Sequence, residues 1–376
     1  MPEQYYFTLQ LNVTNRCNLR CPHCYHTDHI QHGQLNFADY CQCLRKFLNA
    51  CAIWDVRPQL ILCGGEPLLY SDLISLCDYY HQISDGGSLS LLTNGTLITS
   101  AIAEQLSRYN LRMMQVSLDG TGEETHDAVR GRGSFSKTTA GIGLMQMHRF
   151  PLSVNVVLSR RNHTEIQKFF RLVQQLNIPR LTFTRFIPIG IGKAVMEAML
   201  SPLELRTTYE EIVHYAKSFG IESNFHDGLF CLVDKHLGDP SPIGYTAVVV
   251  AEDGTILLSS RTPIALGNML TDDFETLWLQ HPFLQAIRNR DEHECRKCPY
   301  FVSCGGNADL SFAYWGMFHR TDPQCWRQFQ KLPPIPSEKR PRQLQSASSS
   351  RFIEARSQSM AQYCWNANHE STECIA

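Results

Sequence analysis

The chain has 376 residues, is 43% hydrophobic, and carries 34 basic against 36 acidic residues, for a formal charge of −2. That length and apolar content suffice for one large domain and a smaller one, while the balanced charge offers no bulk basic field for nucleic acid. No apolar run approaches the roughly 20 residues needed to span a membrane, and Met1 to Tyr6 lacks both the basic and the apolar region of a secretory signal.

In chain order, Tyr6 to Val13 alternates and is rich in apolar and β-branched residues, so it reads as a strand. Helical periodicity follows over Phe37 to Cys51. Gln59 to Cys63 is a short strand ending in Gly64-Gly65-Glu66-Pro67, and Tyr70 to Ile83 is helical. Leu89 to Leu92 is a strand ending in Thr93-Asn94-Gly95, then a helix over Ile98 to Tyr109. Met113 to Leu118 is a strand ending in Asp119-Gly120, then a helix over Phe135 to Arg149. Leu152 to Leu158 and Arg180 to Arg185 are strands, followed by helices over His163 to Leu176 and Pro202 to Phe219. Six strand-then-helix units imply an α/β fold with a parallel sheet. Six are too few to close an eight-unit barrel, so a partial (β/α)6 TIM-like barrel is expected.

Fifteen cysteines are present. Spaced as C-x3-C-x2-C and C-x2-C-x5-C in a chain without a signal, they indicate metal in a reducing compartment, the cytoplasm, rather than disulfides. The first group, Cys17, Cys21 and Cys24, sits in the loop leaving the first strand, where ligands of α/β sheets gather. Cys thiolates hold iron–sulfur clusters. Three ligands for a four-iron cluster leave one iron open to something other than protein. Zinc is the alternative, since His23 and His26 lie close, although a structural zinc site takes four protein ligands.

This loop resembles that of the radical S-adenosylmethionine (SAM) enzymes. The resemblance covers roughly residues 5 to 220 and implies a [4Fe-4S] cluster at Cys17, Cys21 and Cys24 that cleaves SAM reductively to a 5′-deoxyadenosyl radical. Gly64, Gly65 and Glu66 resemble the family's GGEP motif, which contacts the SAM amino group. Two glycines let a backbone approach a ligand closely. Asn94 lies at the next strand end, and Ser117 and Asp119 at the one after, placed to bond the ribose or amino acid part. Arg130 resembles the arginine that pairs the SAM carboxylate, a role suited to a planar guanidinium.

After a helical bridge over Leu203 to Leu237, Ala247 to Leu258 reads as two short strands about a turn, and Phe274 to Ile287 as a helix. Cys231 reads as a packed thiol. Cys295, Cys298, Cys304 and Cys325 form a complete ligand set for a cluster or zinc. This half resembles the small, cysteine-rich SPASM/twitch extension of peptide-modifying radical SAM enzymes. Full SPASM domains carry more cysteines. Here Ser259 and Ala308 stand where that pattern has cysteine, and none precedes the hairpin near Gly244. One auxiliary [4Fe-4S] cluster is therefore expected, not two. Ser260 stands where sulfatase-maturing members carry an Asp base, which disfavours formylglycine formation.

The expected domains are 1–220 for the core, 221–332 for the auxiliary region, and 333–376 for a Pro- and Ser-rich linker and flexible tail with Cys364 and Cys374. The resemblance implies a ribosomally made peptide substrate, given a carbon–carbon or thioether cross-link or another modification. It also implies an electron donor such as flavodoxin or ferredoxin. Lacking a peptide-binding module before the first strand, the chain is expected to leave leader recognition to a separate protein or the sheet edge. The competing readings are an anaerobic sulfatase-maturing oxidase and a non-catalytic iron–sulfur or zinc protein that binds a peptide.

Overall fold

A computed structural model describes residues 5–26, 33–240, 242–289 and 292–329. The linker and tail expected beyond residue 332, with Cys364 and Cys374, lie outside the described residues.

The first strand, β1 (Tyr6–Thr14), buries Phe7, Leu9, Leu11 and Val13 completely on one face. It is followed by α1 (Phe37–Ile53), started by a capping box in which Asn36 and Asp39 satisfy each other's backbone N–H. The alternation continues as β2 (Arg57–Gly64), α2 (Leu73–Ile83), β3 (Ser88–Thr93), α3 (Ser100–Leu106), β4 (Leu111–Ser117), α4 (Glu123–Arg130), α5 (Ser134–Met147), β5 (Leu152–Leu158), α6 (Ile166–Gln175), β6 (Arg180–Arg185) and α7 (Pro202–Phe219). Helix α7 has a Ser201/Glu204 capping box, Pro202 in its first turn and left-handed Gly220 past its end.

The strands β7 (Glu222–Asn224), β8 (Ala247–Val250), β9 (Thr255–Ser259) and β10 (Thr262–Asn268) complete one sheet in the order β10-β9-β8-β1-β2-β3-β4-β5-β6-β7. All neighbours from β8 through β1 to β7 are parallel; β8–β9 and β9–β10 are antiparallel. The ends of β1 to β6 therefore share one edge, where loops carry the chemistry. The fold is the expected α/β partial barrel, and its sheet runs on into the cysteine-rich half. Phe7 packs edge-on against Trp54 of the α1 cap and Trp278 of α8 (Phe274–Gln280), at 5.1 and 5.3 Å between ring centres. One aromatic cluster thus anchors both halves.

Four expectations change. The helical bridge over Leu203 to Leu237 ends at Phe219, capped by Gly220, and its second half is β7 and a loop with one short helical turn. The single helix over Phe274 to Ile287 is two, α8 and α9 (Pro282–Arg288), broken where Pro282 cannot continue the first. The hairpin gains a third strand, β10, whose pairing is bulged and which contains Pro263 and Gly267, both poor strand residues. Helix α4 was not visible as a periodic stretch because it buries His126 and Arg130 beside Val129, so polarity hides its inner face. Two further short helices follow, α10 (Phe301–Cys304) and α11 (Ala308–Trp315). Among the described residues, no helix is long and apolar enough to cross a membrane.

Candidate active site

The cysteine loop is fastened to the end of β2. Gly65 N–H donates to Thr14 O at 2.7 Å and Glu66 N–H to Arg16 O at 2.8 Å. Gly64 has φ +130°, and a methyl group on Gly64 or Gly65 would lie 2.2 or 2.3 Å from a backbone oxygen of Thr14 or Arg16. The close approach that demands glycine is thus made by the chain's own cysteine loop. Asn94 holds the loop from the end of β3: its Nδ2 donates to Asn18 Oδ1 at 2.9 Å, and Asn18 Nδ2 donates to Thr96 Oγ1 at 2.8 Å.

Cys17, Cys21 and Cys24 are all half-buried thiols of this loop. Burial pushes the Cys21 thiol up to about 11 and raises Cys17 and Cys24, while the Arg130 guanidinium pulls all three the other way. Thiols held protonated by burial ionise when a metal's charge replaces the missing water.

Glu66 is fully buried. Its Oε1 accepts from Thr93 Oγ1 (2.7 Å) and Leu68 N (3.2 Å), and its Oε2 from Asn94 N (2.8 Å). Burial outweighs these bonds and pushes the carboxyl up to about 7. A cation brought against Glu66 would lower that value and expel the proton.

Asp119 and Arg130 form a buried pair, Arg130 Nε to Asp119 Oδ2 at 2.7 Å. The same oxygen lies 3.3 Å from His23 Nε2, and Oδ1 accepts from Val157 N at 2.8 Å. The Asp119 carboxylate therefore has protein partners on both oxygens. Burial alone would raise its pKa, but Arg130 and His23 hold it below the usual carboxylate range. Burial lowers His23 to about 4, so a neutral ring lies against Asp119. That contact fixes, within the cysteine loop itself, the imidazole that stood as a nearby zinc ligand.

The sequence reading missed His23 as a partner of Asp119. It also missed His126, whose Nδ1 accepts the Asp119 N–H (3.2 Å), and Asn162, whose Nδ2 donates to the Asp119 carbonyl (3.0 Å). Ser117 ends β4 in register with Asn155 of β5. A small cleft beside the pair is lined by Pro22, His23, Asp119, Val157, Asn162 and Val195.

In the second group, Cys298 N–H donates to Cys295 O (2.7 Å), Cys295 Sγ lies 3.5 Å from Thr321 Oγ1, and Cys325 N–H donates to Asp322 O (3.0 Å). Ser259, at one position where the SPASM pattern has a further cysteine, and Thr262 three residues on both donate to buried Asp309 Oδ1, from Oγ at 2.5 Å and from Oγ1 at 2.6 Å. This network ties the hairpin to α11 directly beside Ala308. Among the described residues, no three Cys, His, Asp or Glu side chains converge on a single-ion centre. The fit to iron–sulfur therefore rests on the donor chemistry: three thiols in one loop, four in the other.

Residues 11–173 match the radical SAM superfamily. The chain therefore carries a radical SAM domain. It is an enzyme, which removes the non-catalytic reading. It is 28% identical over 348 residues to the AdoMet-dependent heme synthase of Methanosarcina barkeri, covering 83% of this chain and 94% of the relative. It is 27% identical to the mycofactocin maturase MftC of Mycolicibacterium smegmatis, covering 84% of this chain and 82% of that one. Native anSMEcpe with bound AdoMet and Cp18Cys peptide shares the fold, with a TM-score of 0.71 at 19% identity over 86% of this chain and 95% of that one.

Proposed function

We propose that this radical SAM enzyme takes a hydrogen atom from a ribosomally made peptide and yields a cross-linked (cyclophane or thioether) or otherwise modified product. The observation that carries the reading is the cysteine loop, zipped to Gly65-Glu66 and faced by Arg130, on the edge where the strand ends gather. Cys17, Cys21 and Cys24 would hold a [4Fe-4S] cluster, with SAM beside Gly64, Gly65, Glu66, Asn94, Ser117 and Arg130. When bound, cluster and SAM supply a 5′-deoxyadenosyl radical strong enough for an unactivated C–H bond.

The chain's own part is positioning. Asp119 engages Arg130 at Nε, which fixes the orientation of the guanidinium, and His23 and His126 brace Asp119 in turn. Glu66 offers a buried carboxylate to an ammonium group. SAM binding near pH 7 is therefore expected to release a fraction of a proton from Glu66, because its pKa of about 7 falls when a cation arrives. Calorimetry in buffers of different ionisation enthalpy measures this release, and a binding heat independent of buffer would remove Glu66 from the ammonium site.

Cys295, Cys298, Cys304 and Cys325 would hold one auxiliary cluster. The Ser259–Thr262–Asp309 network supports the absence of a second, because it joins the hairpin and α11 through hydroxyls and a carboxylate. Residues 1–220 would serve as core and 221–332 as auxiliary region, with electrons from a flavodoxin- or ferredoxin-like donor in the cytoplasm.

The similarity to the heme synthase supports a second reading, with a tetrapyrrole in place of the peptide. Formylglycine formation is less supported, since Ser260 stands where the base would be. The deciding experiment incubates reconstituted enzyme, SAM and reductant with a short peptide encoded in a neighbouring reading frame, and separately with an iron porphyrin. Loss of two hydrogens from the peptide is expected. Turnover of the porphyrin with an unchanged peptide would replace the first reading by the second.

A further inference from the structure

Cys231 belongs to neither spaced group in the sequence, yet the fold delivers it to the second. It is 2% exposed, in a short turn of helix (Gly228–Leu232) packed on α10. The turn brings its side chain up beside that of Cys304. The backbones behind the two thiols touch: a methyl group on Gly228 would lie 2.0 Å from the Cys304 carbonyl oxygen.

The turn is also held from the sheet. Asp227 caps it, with Oδ1 accepting from Leu229 N at 3.0 Å, and its Oδ2 accepts from Arg185 Nε at 2.7 Å. The same guanidinium donates to Asp322 Oδ2 at 2.8 Å and Gln324 Oε1 at 3.1 Å, in the loop that leads directly into Cys325. Arg185 and Asp322 are almost completely buried. One buried cation at the end of β6 therefore positions both the turn carrying Cys231 and the loop carrying Cys325. Apolar packing of a thiol requires no such fixing.

We propose that Cys231 is a fifth thiol of the auxiliary site, which donates its S–H to the Cys304 sulfur and thereby sets the reduction potential of the cluster held there. The inference rests on the reading that Cys295, Cys298, Cys304 and Cys325 hold an iron–sulfur cluster. Hydrogen bonds to ligand sulfurs are one of the levers on cluster potential. Such a bond stabilises the reduced, more negative state, so its presence raises the potential. Cys231 acts through Cys304 and is a positioning residue, not a ligand.

The test is a redox titration followed by electron paramagnetic resonance on the anaerobically reconstituted full chain, in a Cys17→Ala background that leaves the auxiliary cluster alone in view. Cys231→Ala is expected to keep the auxiliary iron and move the midpoint to lower potential. Cys231→Ser, which restores a donor, is expected to stay closer to the parent. Cys231→Val, which fills the space without a donor, repeats the alanine measurement should the smaller side chain fail to fold. An unchanged midpoint in the alanine and valine variants would overturn the proposal. So would loss of auxiliary iron from Cys231→Ala with retention in Cys304→Ala, which would make Cys231 the ligand. Auxiliary iron missing from the parent itself would instead overturn the cluster reading on which the inference rests.

Discussion

Arg130→Met is expected to destabilise the protein by about 3–5 kcal/mol at pH 8 and to abolish SAM binding. Removing one partner of a buried ion pair leaves the other charge uncompensated, and measured costs fall in that range. The Arg130 and Asp119 side chains are 9% and 1% exposed and meet at 2.7 Å, so water cannot replace the guanidinium. The dependence on pH has a definite sign. In the parent, Asp119 is held below its ordinary range, so its contribution is present above the unfolded value and is lost as pH falls through the folded one. Without Arg130, burial dominates and the folded value rises above the unfolded one. The variant then gains relative stability as pH is lowered, because Asp119 takes up a proton on folding. Urea midpoints of parent and variant at pH 8 and pH 5 measure both effects. Equal midpoints at pH 8 would mean that the pair contributes nothing. Arg130→Lys keeps the charge but not the planar fork, so it is expected to recover more stability than SAM binding.

Cys17→Ala is expected to lose the core iron and bring SAM cleavage to background while the iron at Cys295, Cys298, Cys304 and Cys325 remains. Two thiols of the loop cannot replace three. The variant's fold should persist, because the loop is also tied down by Asn18, by Asn94 and by the backbone bonds from Gly65 and Glu66. Cys77→Ala is the control: that thiol is buried in α2 and should affect neither iron nor cleavage. Iron per chain and 5′-deoxyadenosine formed under reductant report the two outcomes. Cleavage retained by Cys17→Ala would remove that residue from the site.

What the sequence disclosed, and what it did not, follows from where the physics is local. Six alternating units were legible because each strand buries a continuous apolar face, as Phe7, Leu9, Leu11 and Val13 do in β1. The cysteine groups were legible because ligand spacing is written in consecutive residues. Glu66 and Arg130 were found by motif, but their partners were not. His126 meets Asp119 through the turn into α4, while His23 and Asn162 reach it only once the ends of β1, β4 and β5 share one edge of the sheet, and no periodicity marks any of them. Helix α4 was hidden by its buried histidine and arginine. Cys231 lacked a spacing partner, and it comes near Cys304 only because its turn packs on α10, more than seventy residues on. The reason for Gly64 and Gly65 also changed, from room for a ligand to room for the backbone of Thr14 and Arg16.

The measurement that bears most directly on the central claim is electron paramagnetic resonance of the reduced, anaerobically reconstituted Cys295→Ala protein, with and without SAM. In that variant the auxiliary site lacks a ligand and the loop of Cys17, Cys21 and Cys24 dominates the signal. The account predicts a four-iron cluster whose g values shift when SAM is added, because one iron has no protein ligand and takes up the amino acid part of SAM. A core signal indifferent to SAM, or a loop that binds zinc and no iron, would contradict it.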